Sequence, residues 1–96
     1  MIVKAHFSNN RLILAVCDKN ILNKKFLDGN LQLDLTSDFY KGEEKTEEEV
    51  LAMIKKAYMV NAVGKNSVGC CVKAGIVDKN KIKKIKNIPH AYMVRF

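Results

Sequence analysis

The run Thr46-Glu47-Glu48-Glu49 restricts this chain more than any other feature. A threonine followed three residues later by a glutamate forms a capping box, in which each side chain satisfies a free amide at a helix start. The three glutamates also oppose the positive end of the helix dipole. Val50, Ile54, Ala57 and Asn61 then fall on one helical stripe, with Lys55 and Lys56 off it. The pattern predicts a helix from Thr46 to Val63, closed by Gly64 as a left-handed terminator. A short second helix is expected from Asn66 or Ser67, with Val68, Cys71 and Val72 on one face. Gly75 ends it, and Ile76 supplies a hydrophobic contact for the cap.

The segments around these helices read as strands. "MIVKAHF" and "RLILAVCD" are rich in β-branched and aliphatic residues and flank the polar "SNN", which predicts a hairpin. Residues 19–30 read as a connection with Asp28-Gly29-Asn30 as turn chemistry. In "LQLDLT", Leu31, Leu33 and Leu35 alternate with Gln32, Asp34 and Thr36, the pattern of a half-exposed strand. "SDFYKGEEK" reads as a loop or a single helical turn. In "KIKKIKNI" the isoleucines recur every three residues, which fits neither regular period. "IPHAYMVRF" reads as a closing strand, with Pro89 suited to its start because it has no amide donor. His90, Tyr92, Val94 and Phe96 then share one strand face, which places Tyr92 among core residues. These elements predict an α+β fold, a two-layer sandwich of a mixed, mainly antiparallel sheet with helices on one face. At 96 residues the expectation is a single domain, 1–96.

Charge is divided unevenly along the chain. Residues 1–54 carry seven Lys/Arg against nine Asp/Glu, whereas residues 55–96 carry ten against Asp78 alone. A basic half favours an anionic partner. Lys65, Lys79, Lys81, Lys83, Lys84 and Lys86 are the expected nucleic-acid contacts. Lysine-rich surfaces also simply keep proteins soluble, so charge alone leaves both readings open. The acidic stretch from Asp34 to Glu49 offers a dock for a basic protein. No apolar run nears the roughly 18 residues of a membrane span, and the N-terminus lacks a signal-peptide pattern. Three cysteines, Cys17, Cys70 and Cys71, without framework spacing fit a reducing cytoplasm.

Several residues carry chemistry that the pattern leaves open. The amides after Asn66, beside Lys65, form a potential anion nest, but the spaced glycines and Lys-Ser/Thr pair of a nucleotide loop are missing, and no strand is expected before it. Adjacent helical cysteines point about 100° apart, so Cys70 and Cys71 do not readily share one tetrahedral ion. No metal or cofactor is expected, and the cysteines read as small hydrophobes. Asn61 reads either as an internal brace or as an amide facing a cleft. His90 reads as a structural residue, or as an acid or base if Cys17 or Asp18 lies within reach. No catalytic residue is assigned.

Four short stretches in order, "AVCD" at 15–18, "FYKG" at 39–42, "NAVGKNSV" at 61–68 and "PHA" at 89–91, resemble a small archaeal family known as domain of unknown function 424. The resemblance covers nearly the whole chain and implies a cytoplasmic protein with a compact two-layer α/β architecture and no established activity. It draws attention to Cys17, Asp18, Phe39, Tyr40, Gly42, Asn61, Gly64, Pro89, His90 and Ala91. Two departures stand out. "KNILN" replaces an acidic residue and Leu-Leu-Gly after the Cys-Asp pair, and Tyr92 replaces a glutamine after "PHA".

The function these readings favour is a non-enzymatic cytosolic accessory protein that binds RNA or a ribonucleoprotein, with a link to translation expected from its class. One alternative is a small enzyme or ligand-binding domain with a polar cleft around Cys17, Asp18, Asn61 and His90, with Tyr40 and Gly64 beside it. A protein-interaction module is the other.

Overall fold

The computed structural model describes residues 1–95, so Phe96 and its expected place on the last strand lie outside the described residues. Strands β1 (Ile2–Ser8) and β2 (Arg11–Cys17) form the expected hairpin. Asn9 and Asn10 make its two-residue turn at φ +53° and +64°, a conformation asparagine tolerates better than most residues. Strands β3 (Lys25–Asp28) and β4 (Leu31–Asp34) pair as a second, small hairpin around Gly29. β5 (Glu43–Glu44) follows a one-turn 3-10 helix at Asp38–Tyr40. Then come α1 (Glu47–Lys56), β6 (Met59–Val63), α2 (Lys65–Lys73), β7 (Lys83–Ile85) and β8 (Ile88–Val94).

The main sheet has the order β5-β1-β2-β6-β8-β7. Only β2 and β6 run parallel; every other neighbouring pair is antiparallel. Both α-helices pack on one face, where Leu14, Val16, Val60, Ala62 and Met93 of the sheet meet Val50, Ile54, Val68 and Cys71. The opposite face is covered at one end. There Ala15, Cys17 and Val63 lie under Leu33 and Leu35, from and just after β4, and under Tyr40 of the 3-10 turn. The chain is therefore α+β, a mixed and mainly antiparallel sheet with its helices on one side.

Three expectations need correction. The helix that begins at the capping box stops at Lys56, and Met59–Val63 is a central strand. The apolar stripe ran on through Asn61 only by coincidence of phase. "MVNAV" is buried between β2 and β8, and a short apolar run of this kind has no periodicity that separates helix from strand. Ala57 leaves the helix in an extended conformation without any glycine signal. Within residues 19–30, expected to be a connection, Lys25–Asp28 is strand β3. Its facing partners Leu33 and Gln32 draw Phe26 and Leu27 into the small hairpin. Gly64 does not end a helix; it precedes α2.

The second helix is close to expectation. Its C-terminus is a Schellman cap: the Ile76 amide donates to the Cys71 carbonyl (3.2 Å) and the Gly75 amide to the Val72 carbonyl (3.0 Å), with Gly75 at φ +74°. The ambiguous "KIKKIKNI" resolves into β7 and a two-residue turn at Lys86-Asn87, again with both φ positive.

Candidate functional site

The parallel strands β2 and β6 end side by side, and the next residue of each meets at one corner. The Asp18 amide donates to the Val63 carbonyl (3.1 Å). Its carboxylate accepts from the Asn66 amide (3.0 Å), the Ser67 amide (2.8 Å) and the Ser67 hydroxyl (2.7 Å). Asp18, just past the end of β2, thus caps α2 from 48 residues before Asn66, satisfying donors a helix start leaves free and meeting the positive end of its dipole. Gly64 makes room for it. Its φ of +106° is a glycine conformation, and a Cβ there would lie 2.4 Å from Asp18 Cγ. A strand does precede this turn, contrary to expectation, and the anion nest is filled by the protein's own carboxylate. Asp18 and Gly64 hold a corner together and leave no free acid for a ligand.

Cys17 lies beneath the small hairpin, fully buried, with its thiol donating to the Asp18 carbonyl at 3.4 Å. Burial, and then the Asp18 charge, push this thiol up to about 11. Burial, and then Cys70, push Cys71 up to about 12. A nucleophile must be a thiolate, and these thiols stay protonated at neutral pH. Among the described residues, no three His, Cys, Asp or Glu side chains gather as a metal-holding group.

Three of the candidate residues do converge. Asn61, on β6, accepts at Oδ1 from the Tyr40 hydroxyl (3.2 Å) and from His90 Nε2 (3.2 Å). With the amide oxygen as the shared acceptor, Nε2 carries the proton and His90 Nδ1 is the free acceptor. Burial, and then the Lys83 ammonium, hold His90 below its ordinary value, which keeps it neutral at pH 7. Tyr40 is raised by burial and then by Cys17. Asn61 is therefore a brace, as one reading of it proposed, but it sits on a strand. Beside this array the Phe39 ring stacks on His6 at 4.6 Å, and the Phe39 carbonyl meets His6 Nε2 at 3.0 Å. Gly42 lets the chain approach β1, since a Cβ there would lie 2.0 Å from the Val3 carbonyl oxygen.

The lysines gather along the β7 edge. Lys65, Lys79 and Lys84 surround a groove of about 410 Å³ floored by Val68, Ile82 and Pro89. Lys81 and Lys83 line a cleft of about 480 Å³ with Asp78, His90 and Tyr92. Lys86 occupies the tip of the β7–β8 turn. Among the described residues, none of these six lysines makes an ion pair. The ion pairs are Lys19–Glu44, Lys41–Asp38, Lys45–Glu43 and Lys73–Glu47. Those pairs occupy most of the acidic stretch. Within it, Asp34 also accepts two hydrogen bonds from Thr36, and Glu49 is bound into its capping box.

Tyr92 is the residue that the sequence reading misplaced. It is 57% exposed, while Ala91 and Met93 turn into the helix-side core. The signal was present: Ala91 and Met93 form the apolar half of the alternation, which puts His90 and Tyr92 on the other face.

A family model described as "Protein of unknown function (DUF424)" matches residues 6–96. No curated protein matches the chain. Among solved structures, the crystal structure of an uncharacterized conserved protein from Methanopyrus kandleri superposes with a TM-score of 0.83 at 21% identity, covering 97% of this chain and 90% of that one. At that identity the likeness speaks to fold alone.

Proposed function

This chain belongs to the DUF424 family, and we propose that its member described here is a non-enzymatic cytosolic protein that binds RNA or a ribonucleoprotein through the β7–β8 edge. The observation that carries this reading is the set of six lysines at that edge, none ion-paired among the described residues, with an exposed tyrosine beside them. Lysines free of ion pairs can neutralise phosphates, and each neutralised phosphate releases counterions condensed on the nucleic acid. Three free thiols suit a reducing compartment. The enzymatic alternative has less support, because Cys17 is buried and protonated and the Asp18 carboxylate is fully engaged. Protein docking at the acidic stretch has less support for a similar reason, since its carboxylates already face lysines of the same chain. Purification at low salt, with the absorbance at 260 nm followed before and after ribonuclease, tests the reading. Co-purifying nucleic acid that ribonuclease or high salt removes is expected. Protein free of nucleic acid, with capture from a native lysate unaffected by ribonuclease, would overturn it.

A further inference from the structure

The sheet face opposite the helices is only half covered. The β3–β4 hairpin lies over the end that carries Cys17 and Val63. At the other end, register sets Ile13, Met59 and Val94 in one row, and all three are only partly buried. Between these ends stand Asn61 and Tyr92, directly opposite one another on β6 and β8. Tyr92 extends over this face, its hydroxyl 3.6 Å from Met59 Sδ. The Asn61 oxygen is saturated by Tyr40 and His90. Among the described residues the Asn61 amide nitrogen makes no hydrogen bond, and it is not a buried unsatisfied group, so it keeps some exposure on this half-buried residue, across from the tyrosine.

We infer that this open half-face is a stacking platform for an unpaired nucleotide segment, with a base on the Tyr92 ring, the Asn61 amide donating to a base carbonyl or ring nitrogen, and Lys81 and Lys83 on the adjoining phosphates. The inference rests on the RNA reading above and narrows it to single-stranded substrate. The charge of the rim decides the occupant. Lys83 stands next along the face from Tyr92, across from His90; Asp78 also lines this cleft, but its carboxylate accepts from the Asn80 amide, and no acidic side chain pairs with Lys83 or Lys81 among the described residues. A second copy of this chain would bring the same positive charge to the contact, whereas a nucleotide strand brings a phosphate every few ångströms together with a flat ring for the tyrosine. A duplex hides its bases and meets the lysines alone. The neutral, pinned His90 keeps the Asn61 amide in one orientation, so its donors are preorganised for the base edge.

The test compares single-stranded and duplex RNA of the same sequence by fluorescence anisotropy at low salt. Tyr92→Ala should weaken single-strand binding roughly tenfold, with duplex binding and the melting temperature unchanged. Tyr92→Phe keeps the ring and should retain affinity within about twofold. A single-stranded DNA of the same sequence that shows the same dependence on Tyr92 supports the platform equally, because stacking ignores the sugar. If Tyr92→Ala leaves single-strand affinity intact while Lys83→Gln still weakens it, the platform is wrong and the RNA reading survives. If no RNA binds even at low salt, both fail. Displacement of bound RNA by polyglutamate in a Tyr92-dependent manner would assign the face to an acidic protein segment and overturn the proposal.

Discussion

Asp18 and Gly64 show how two residues far apart in sequence come to depend on each other. The carboxylate serves α2 only because nothing but hydrogen occupies the space beside Gly64 Cα. Gly64→Ala must therefore either expel Asp18 or strain the backbone, and a loss of roughly 3 kcal/mol or more is expected in denaturant melts. Gly75→Ala is the internal comparison. It also has positive φ, but no atom lies within 4 Å of the added Cβ, so a smaller cost of about 1–2 kcal/mol is expected. Equal losses at the two sites would remove the steric account of Gly64. The buried thiols make a prediction about pH. Cys17 and Cys71 are raised from 9.0 to about 11 and about 12. Their protonated forms are favoured in the folded protein, so their contribution to stability is full below pH 9 and is lost as pH rises through the folded values. Stability should fall from about pH 9 upward, and Cys17→Ala and Cys71→Ala should each flatten that fall. Unchanged alkaline slopes in both variants would show that the thiols do not drive it.

At the scale of elements, the capping box specified where α1 begins, and the structure places Thr46 as its N-cap with both reciprocal bonds formed. Its end was not legible, because the signals that stop a helix were missing at Ala57 while the apolar phase continued. What ends α1 is tertiary: two residues on, Met59–Val63 gain more by filling the gap between β2 and β8. Strand β3 escaped notice for a related reason. Only Phe26 and Leu27 carry its apolar content, and Leu27 is exposed. The stripe itself was right where the helix exists, since Val50 and Ile54 are fully buried. Ile54→Ala should accordingly cost roughly 2–5 kcal/mol, read from the denaturant midpoint. A loss under half a kcal/mol would mean the helix does not anchor that core. The candidate site was half legible. The sequence pointed to Tyr40, Asn61 and His90 as residues of interest, but only the pairing of β6 with β8 and the packing of the 3-10 turn bring them together, and only the burial of Ala91 and Met93 turns Tyr92 outward.

For the whole molecule, the division of charge along the sequence becomes a division in space. Four carboxylates of the acidic half face lysines, three of them lysines of that half, and six of the ten basic residues of the other half gather at one sheet edge, where none makes an ion pair among the described residues. This is the arrangement expected of a surface that holds a polyanion by counterion release, and it needs no reaction to explain it. Lysines contribute position and affinity more than sequence choice, so any preference among bases must come from the Tyr92–Asn61 face. The most direct measurement is the salt dependence of binding to a labelled single-stranded RNA, made for the native protein and for the combined Lys83→Gln, Lys84→Gln and Lys86→Gln variant. The native protein should bind at about 50 mM salt and weaken steeply as salt rises, and the triple variant should lose about 2 from the log–log slope, since each phosphate on a single strand contributes about 0.7. No binding at about 50 mM salt, or an identical slope in the folded variant, would contradict the account.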